Sequence, residues 1–166
     1  KKLKYPLYVQ PKLDGLRAIA MLDSNGVVQL KTRTREDIPG FSLLRKELTD
    51  LYKHGDKTLI LDGELYSHGK NLQYISGVVR AETGRADEKN ELQFWTFDCF
   101  SIERPKEPFE KRIENLKEFL AGGSHDLIIL DETIKAETEE EADKYYKKIT
   151  DDGFEGIIYK SMGKPY

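Results

Sequence analysis

The run Lys12-Leu13-Asp14-Gly15 constrains this chain more than any other stretch, because it sets a nucleophilic amine, a carboxylate and a glycine at the end of a β-rich segment. Alone it reads as a charged turn closing a hairpin. With residue frequencies of roughly 5 to 7% each, such a tetrapeptide arises by chance in about one chain in thirty of this size. Its companions decide the matter. Thr32-Arg33-Thr34-Arg35, Leu61-Asp62-Gly63-Glu64-Leu65, Phe94-Trp95-Thr96-Phe97-Asp98 and Phe154-Glu155-Gly156-Ile157-Ile158-Tyr159-Lys160 follow in that order. An ordered series is far more specific than one match.

The chain has 166 residues, enough for one ordinary domain with a real core. No window approaches the length of an apolar membrane span, and the Lys-rich start lacks a signal-peptide core, so no membrane association and an intracellular, cytoplasmic location are expected. The single Cys99 lies in the apolar run Phe94 to Phe100 and reads as a small core residue. His54, His68 and His125 lack ligand spacing, so any metal should be oxygen-bound. A net charge of −3 argues against a generic basic nucleic-acid binder. Local patches remain: Arg17, Lys31, Arg33 and Arg35 cluster early, and the acidic run Glu137, Glu139, Glu140 and Glu141 reads as a solvated helix start.

Alternating or apolar segments predict strands at Tyr5 to Gln10, Leu16 to Leu22 and Val27 to Thr32, the last two joined by a turn whose Asn25-Gly26 is a hairpin signal. Further strands are expected at Thr58 to Tyr66, Leu92 to Phe100, Leu127 to Glu132 and Gly156 to Lys160. Phe41, Leu44, Leu48 and Leu51 recur at helical spacing, as do Phe109, Ile113, Leu116 and Leu120. Thr138 with Glu141 announces a third helix by a capping box, with Ala142, Tyr145, Tyr146 and Ile149 on its core face. A shorter helix is expected over Asn71 to Val79, and the charged stretch Ala81 to Asn90 reads as an exposed loop. The class is α+β.

A lysine amine attacks phosphorus only when neutral, and its unperturbed pKa is ~10.4, so partial burial and nearby cations must act on it. Arg17, Lys160 and a metal ion are candidates for the positive potential. Gly15 permits a close backbone approach, and Asp14 can orient donors or help activate an incoming hydroxyl. Glu155 stands at the mouth of an apolar strand, where a lone carboxylate is costly without a cation. Mg2+ suits it, since that ion takes one or two carboxylates together with waters and substrate phosphates. Phe94, Trp95, Phe97 and Phe100 read mostly as core by alternation.

In order, these runs resemble the nucleotidyltransferase motifs of ATP-dependent DNA ligases, a superfamily shared with RNA ligases and mRNA capping enzymes. The match runs from about Val9 to Lys160 and is nearest the compact ligases of phages and large viruses. The resemblance implies a nucleotidyltransferase fold of the ATP-grasp-like ligase adenylation type, with antiparallel sheets flanked by helices. It implies that Lys12 attacks the α-phosphate of ATP, expels pyrophosphate and carries AMP as a phosphoramidate. By the same resemblance Gln10 faces adenine, Arg17 and Arg33 contact the nucleotide and the phosphate of a nucleic-acid end, and Glu64 reads the ribose. Phe97 stacks on adenine, Lys160 contacts phosphate unless it is only salt-bridged, and Arg35 divides evenly between such a role and a solvent-facing one. The implied cofactors are ATP and Mg2+, and the implied partner is nicked double-stranded DNA, bound by a monomer. The family continues into a further lysine motif and an OB-type barrel, so residues 1–166 are expected to be an adenylation domain truncated before both. RNA ligase, capping guanylyltransferase and a non-catalytic nucleotide or nucleic-acid binding domain are the alternatives.

Overall fold

In the computed structural model, which describes residues 2–166, the N-terminal alternation folds as three strands, β1 (Leu7–Lys12), β2 (Leu16–Leu22) and β3 (Val28–Thr32). Gly26 at φ 74° lies in the connection between β2 and β3, a left-handed conformation that glycine adopts without a Cβ clash. There follow α1 (Ser42–His54), β4 (Leu59–Tyr66), α2 (Leu72–Arg80), α3 (Ala86–Glu91), β5 (Gln93–Ser101), α4 (Phe109–Ala121), β6 (Ile128–Leu130), β7 (Ile134–Ala136), α5 (Glu139–Asp151) and β8 (Gly156–Ser161). No helix is long and apolar enough to cross a membrane among the described residues.

Two sheets result. One has the order β3-β2-β4-β5-β6, the other β7-β1-β8. All pairings are antiparallel except β5 with β6, which run parallel. That departs from the expectation of antiparallel sheets. Helix α4 makes a crossover between the two strands, and a crossover brings the chain back in its original direction.

The apolar stripes of α1 and α4 bury Leu44, Leu48 and Leu51 and Phe109, Ile113, Leu116 and Leu120 in one large core with Leu61, Leu65, Phe94 and Cys99. A smaller core joins Leu7 and Val9 of β1 to Ala136 of β7 and to Ala142, Tyr145 and Ile149 of α5. Burying each large side chain contributes roughly 1.5 to 3 kcal/mol, so these stripes rather than helix propensity hold the helices. Phe154 packs against both cores, just before Glu155.

The expected strand at Leu127 to Glu132 ends at Leu130, and the chain passes at once to the other sheet as β7, an element too short to show an alternation. The stretch Ala81 to Asn90 is not all loop. It enters α3, whose first turn holds Asp87 and Glu88, where the helix dipole favours negative charge. Its Lys89 is buried, the ammonium donating to the carbonyls of Pro39 and Ala81 and lying 5.4 Å from the Phe41 ring centroid. Tyr146, expected on the core face of α5, is exposed, while Tyr145 is buried with its hydroxyl donating to Glu132 Oε2 at 2.8 Å. Thr138 accepts from the Glu141 amide as the capping box requires.

Candidate active site

The pairing of β1 with β8 sets Lys12 opposite Gly156, and that register carries Glu155 to the amine: Lys12 Nζ donates to Glu155 Oε1 at 3.0 Å. Both side chains are about half exposed. The expectation of a partly buried amine beside cations is therefore not met. Lys12 faces a carboxylate, while Arg17 and Lys160 are held elsewhere.

The turn after Lys12 is built by close approach. A Cβ on Gly15 would lie 2.6 Å from the Leu65 carbonyl oxygen and 2.9 Å from Glu64 Oε2. Without one, the Gly15 N–H donates to Glu64 Oε2 at 2.9 Å, which fastens the turn after Lys12 to β4. Burial pushes the Glu64 carboxyl up to about 7, against the opposing pull of that N–H and of Arg17; Asp14 and Glu155 repel its charge and push the same way as burial. Glu64 is thus fixed to the turn, with a ligand-facing role still open to it, and Asp14 is exposed beside it.

Phe97 owes its position to a bulge. Asp62 pairs with Asp98 and Gly63 with Thr96, so Phe97 is the extra residue of β5 and its carbonyl falls out of the ladder. Gln10 Nε2 takes that carbonyl at 2.7 Å and also donates to Thr133 Oγ1 at 2.8 Å. Arg17 and Lys160 each lie 5.7 Å from the centroid of the Phe97 ring. Gln10, Arg17 and Lys160, distant in sequence, thus meet at one residue, Phe97: Gln10 at its carbonyl, the two cations at its ring.

Two ion pairs missed by the sequence reading anchor those cations. Arg17 donates to buried Asp62 through Nε at 3.0 Å and Nη2 at 2.5 Å, and the pairing raises its pKa. Tyr166 also donates to Asp62, at 2.6 Å. Arg112 of α4 grips Asp98 with Nε at 2.8 Å and Nη2 at 3.0 Å, both side chains at most 5% exposed, while Lys160 stands 3.9 Å from the same carboxylate. The signal for Arg112 was its place among Phe109, Ile113 and Leu116 on the buried stripe of α4. Asp131, also missed, is buried at the end of β6.

Arg33 and Arg35 are not brought to this cleft by any contact. Both are exposed at the tip after β3, with no ion-pair partner among the described residues. Arg35 takes φ 68° and its amide donates to Thr32 O at 3.0 Å. Cys99 is buried and its thiol pushed up to about 12, as a core residue should be.

A family model described as the ATP dependent DNA ligase domain matches residues 1–166. A DNA ligase of African swine fever virus is 34% identical over 160 residues, covering 95% of this chain and 37% of that protein. Chlorella virus DNA ligase-adenylate superposes with a TM-score of 0.76 at 21% identity, covering 99% of this chain and 56% of that one. The ATP-dependent DNA ligase of bacteriophage T7, in complex with ATP, gives 0.66 at 18%, covering 96% and 59%. The chain spans little more than a third of the length of the viral ligase it matches.

Proposed function

Since the chain belongs to the ATP-dependent DNA ligase domain family, we propose that Lys12 is its nucleophile and that the protein seals nicked DNA through a covalent lysine adenylate. The observation that carries this reading is the arrangement of side chains: an amine at the end of β1, a glutamate across the β1–β8 ladder, and an aromatic ring flanked by two cations.

The Lys12 ammonium gives one proton to solvent, and the freed lone pair forms the N–P bond to the α-phosphorus of ATP. The bridging P–O bond breaks, pyrophosphate leaves with its electron pair, and the second proton lost leaves a phosphoramidate. An oxygen of a 5′-phosphate then attacks the adenylate phosphorus, the N–P bond breaks and the Lys12 nitrogen takes back its protons; a 3′-hydroxyl, giving its proton to solvent, attacks the 5′-phosphorus, and AMP leaves as the strands join. Phe97 offers the base a face, and stacking of that kind contributes ~1 to 3 kcal/mol. Gln10 borders the base edge, while Arg17 and Lys160 offer donors to phosphate in forms the family motifs predict.

Glu155 offers a carboxylate of the kind that fits Mg2+, and Glu64 lies near enough to feel the charges of Glu155 and Asp14. No three potential metal ligands converge among the described residues; the ion would be held by Glu155 together with waters and substrate phosphates. Bound there, the ion supplies neutralisation of phosphate charge. A monomeric protein of viral or phage type, with nicked duplex as its partner, accords with this reading.

The test is to incubate the full-length protein with α-labelled ATP and Mg2+ and look for an acid-labile label, then to supply nicked DNA. Label from ATP on the protein that is lost as free AMP while the supplied nick is sealed is the expected result. Label from GTP alone would favour a capping enzyme, and joining of RNA strands far above DNA strands would favour an RNA ligase.

A further inference from the structure

The cleft holds polar atoms that the chemistry above leaves without partners. Three buried side-chain oxygens lack a hydrogen bond: Gln10 Oε1 and both oxygens of Asp131. No other buried side-chain polar atom among the described residues is left so. Buried polar groups are ordinarily partnered, and a native orphan calls for an explanation. They belong to two residues that the backbone brings to Phe97, Gln10 through its bond to the Phe97 carbonyl and Asp131 through the β5–β6 register.

Gln10 uses both of its amide donors, on the Phe97 carbonyl and on Thr133, so its oxygen is turned away from those partners. Asp131 is reached from the other side. Strands β5 and β6 pair Trp95 with Ile129 and Thr96 with Leu130, and the Asp131 N–H continues the ladder to Thr96 O at 2.8 Å. Asp131 therefore stands level with Phe97. Its side chain is 1% exposed and lies near enough to Glu64 for the two charges to repel. Desolvation, with that repulsion second, pushes its carboxyl up to about 8. A carboxyl that keeps its proton at neutral pH presents one donor and one acceptor.

We propose that Asp131 is a specificity-determining residue which, with Gln10, reads the amino-bearing edge of adenine at the rim of the Phe97 ring. The inference rests on the ligase reading above. A 6-amino group carries two N–H donors, one for Gln10 Oε1 and one for an Asp131 oxygen, and the adjacent ring nitrogen accepts from the Asp131 O–H. A purine with a carbonyl at that position sets oxygen against Gln10 Oε1. A site built to hydrogen-bond a group rejects an analogue lacking it, because its own buried atoms are then stranded.

The experiment follows Lys12 labelling in the full-length protein with ATP and with purine riboside triphosphate, which lacks only the 6-amino group. The unsubstituted protein should favour ATP by tenfold or more in kcat/KM, the scale of one buried hydrogen bond, about 1.4 kcal/mol. Asp131→Ala should weaken both nucleotides, since the analogue keeps the ring nitrogen, and should raise the KM for ATP by roughly tenfold more than that for the analogue, a difference that damage to the fold would not produce. Asp131→Asn, which keeps a donor and an acceptor, should retain most of the preference. Equal losses for both nucleotides, or an undiminished preference in Asp131→Ala, would overturn the proposal. Should that variant fold poorly, the unsubstituted protein still decides: equal use of both nucleotides overturns it. Absence of any label from ATP would instead overturn the ligase reading, and this inference with it.

Discussion

Lys12 and Glu155, separated by 143 positions in sequence, stand 3.0 Å apart because β8 pairs with β1 along its whole length. The contact ties Lys12 to the turn after α5, where Phe154 joins the two cores and its ring stacks on His68 with centroids 4.3 Å apart.

Replacing Lys12 with Ala should abolish the covalent label, and Lys12→Arg should fail equally, since a guanidinium has no free lone pair at neutral pH. Because the ion pair is half exposed, neither change should cost more than about 1 kcal/mol of stability. Labelling by ATP in either variant, with its melting temperature intact, would remove Lys12 from the chemistry.

Phe97→Ala and Glu155→Ala should fail differently. The first should weaken nucleotide binding by an amount within the ~1 to 3 kcal/mol stacking range and respond to more ATP. The second should raise the Mg2+ concentration needed for labelling. Titrations of each component against each variant check this, and rescue of both variants by the same component would merge the two roles.

The Asp98–Arg112 pair should matter more for the fold than for the reaction. Both side chains are nearly inaccessible, and removing one partner strands the other charge, at a cost of about 3 to 5 kcal/mol. Urea denaturation of Arg112→Leu should show a loss of that order. A loss below about 1 kcal/mol, the scale of an exposed pair, would mean the pair is open to water.

Two carboxyls in the cleft give the nucleotide-free protein an unusual dependence on pH. Burial raises Glu64 from 4.5 to about 7 and Asp131 from 3.8 to about 8. The folded state then binds these protons more tightly than the unfolded chain, so their contribution is full at low pH and is lost as pH rises through the folded values. Thermal melts should show Asp131→Asn gaining on the unsubstituted protein between about pH 5 and 8. A constant difference over that window would show that Asp131 ionises alike in both states.

Much of this protein was legible before folding. Lys12, Glu64, Phe97 and Glu155 stand out because motif order is a property of the chain. The amphipathic stripes of α1 and α4 and the Asn25-Gly26 hairpin stand out because period and turn chemistry are local. The register of β8 on β1, the bulge that releases the Phe97 carbonyl, the parallel turn of β6, and the buried partners Asp62, Asp98 and Arg112 were decided only by the tertiary structure. So were the unpartnered oxygens of Asp131. Each depends on which distant backbone comes to lie alongside. A carboxylate written in the sequence has the same formula whether it meets water, a guanidinium or nothing, and only the packed fold determines which.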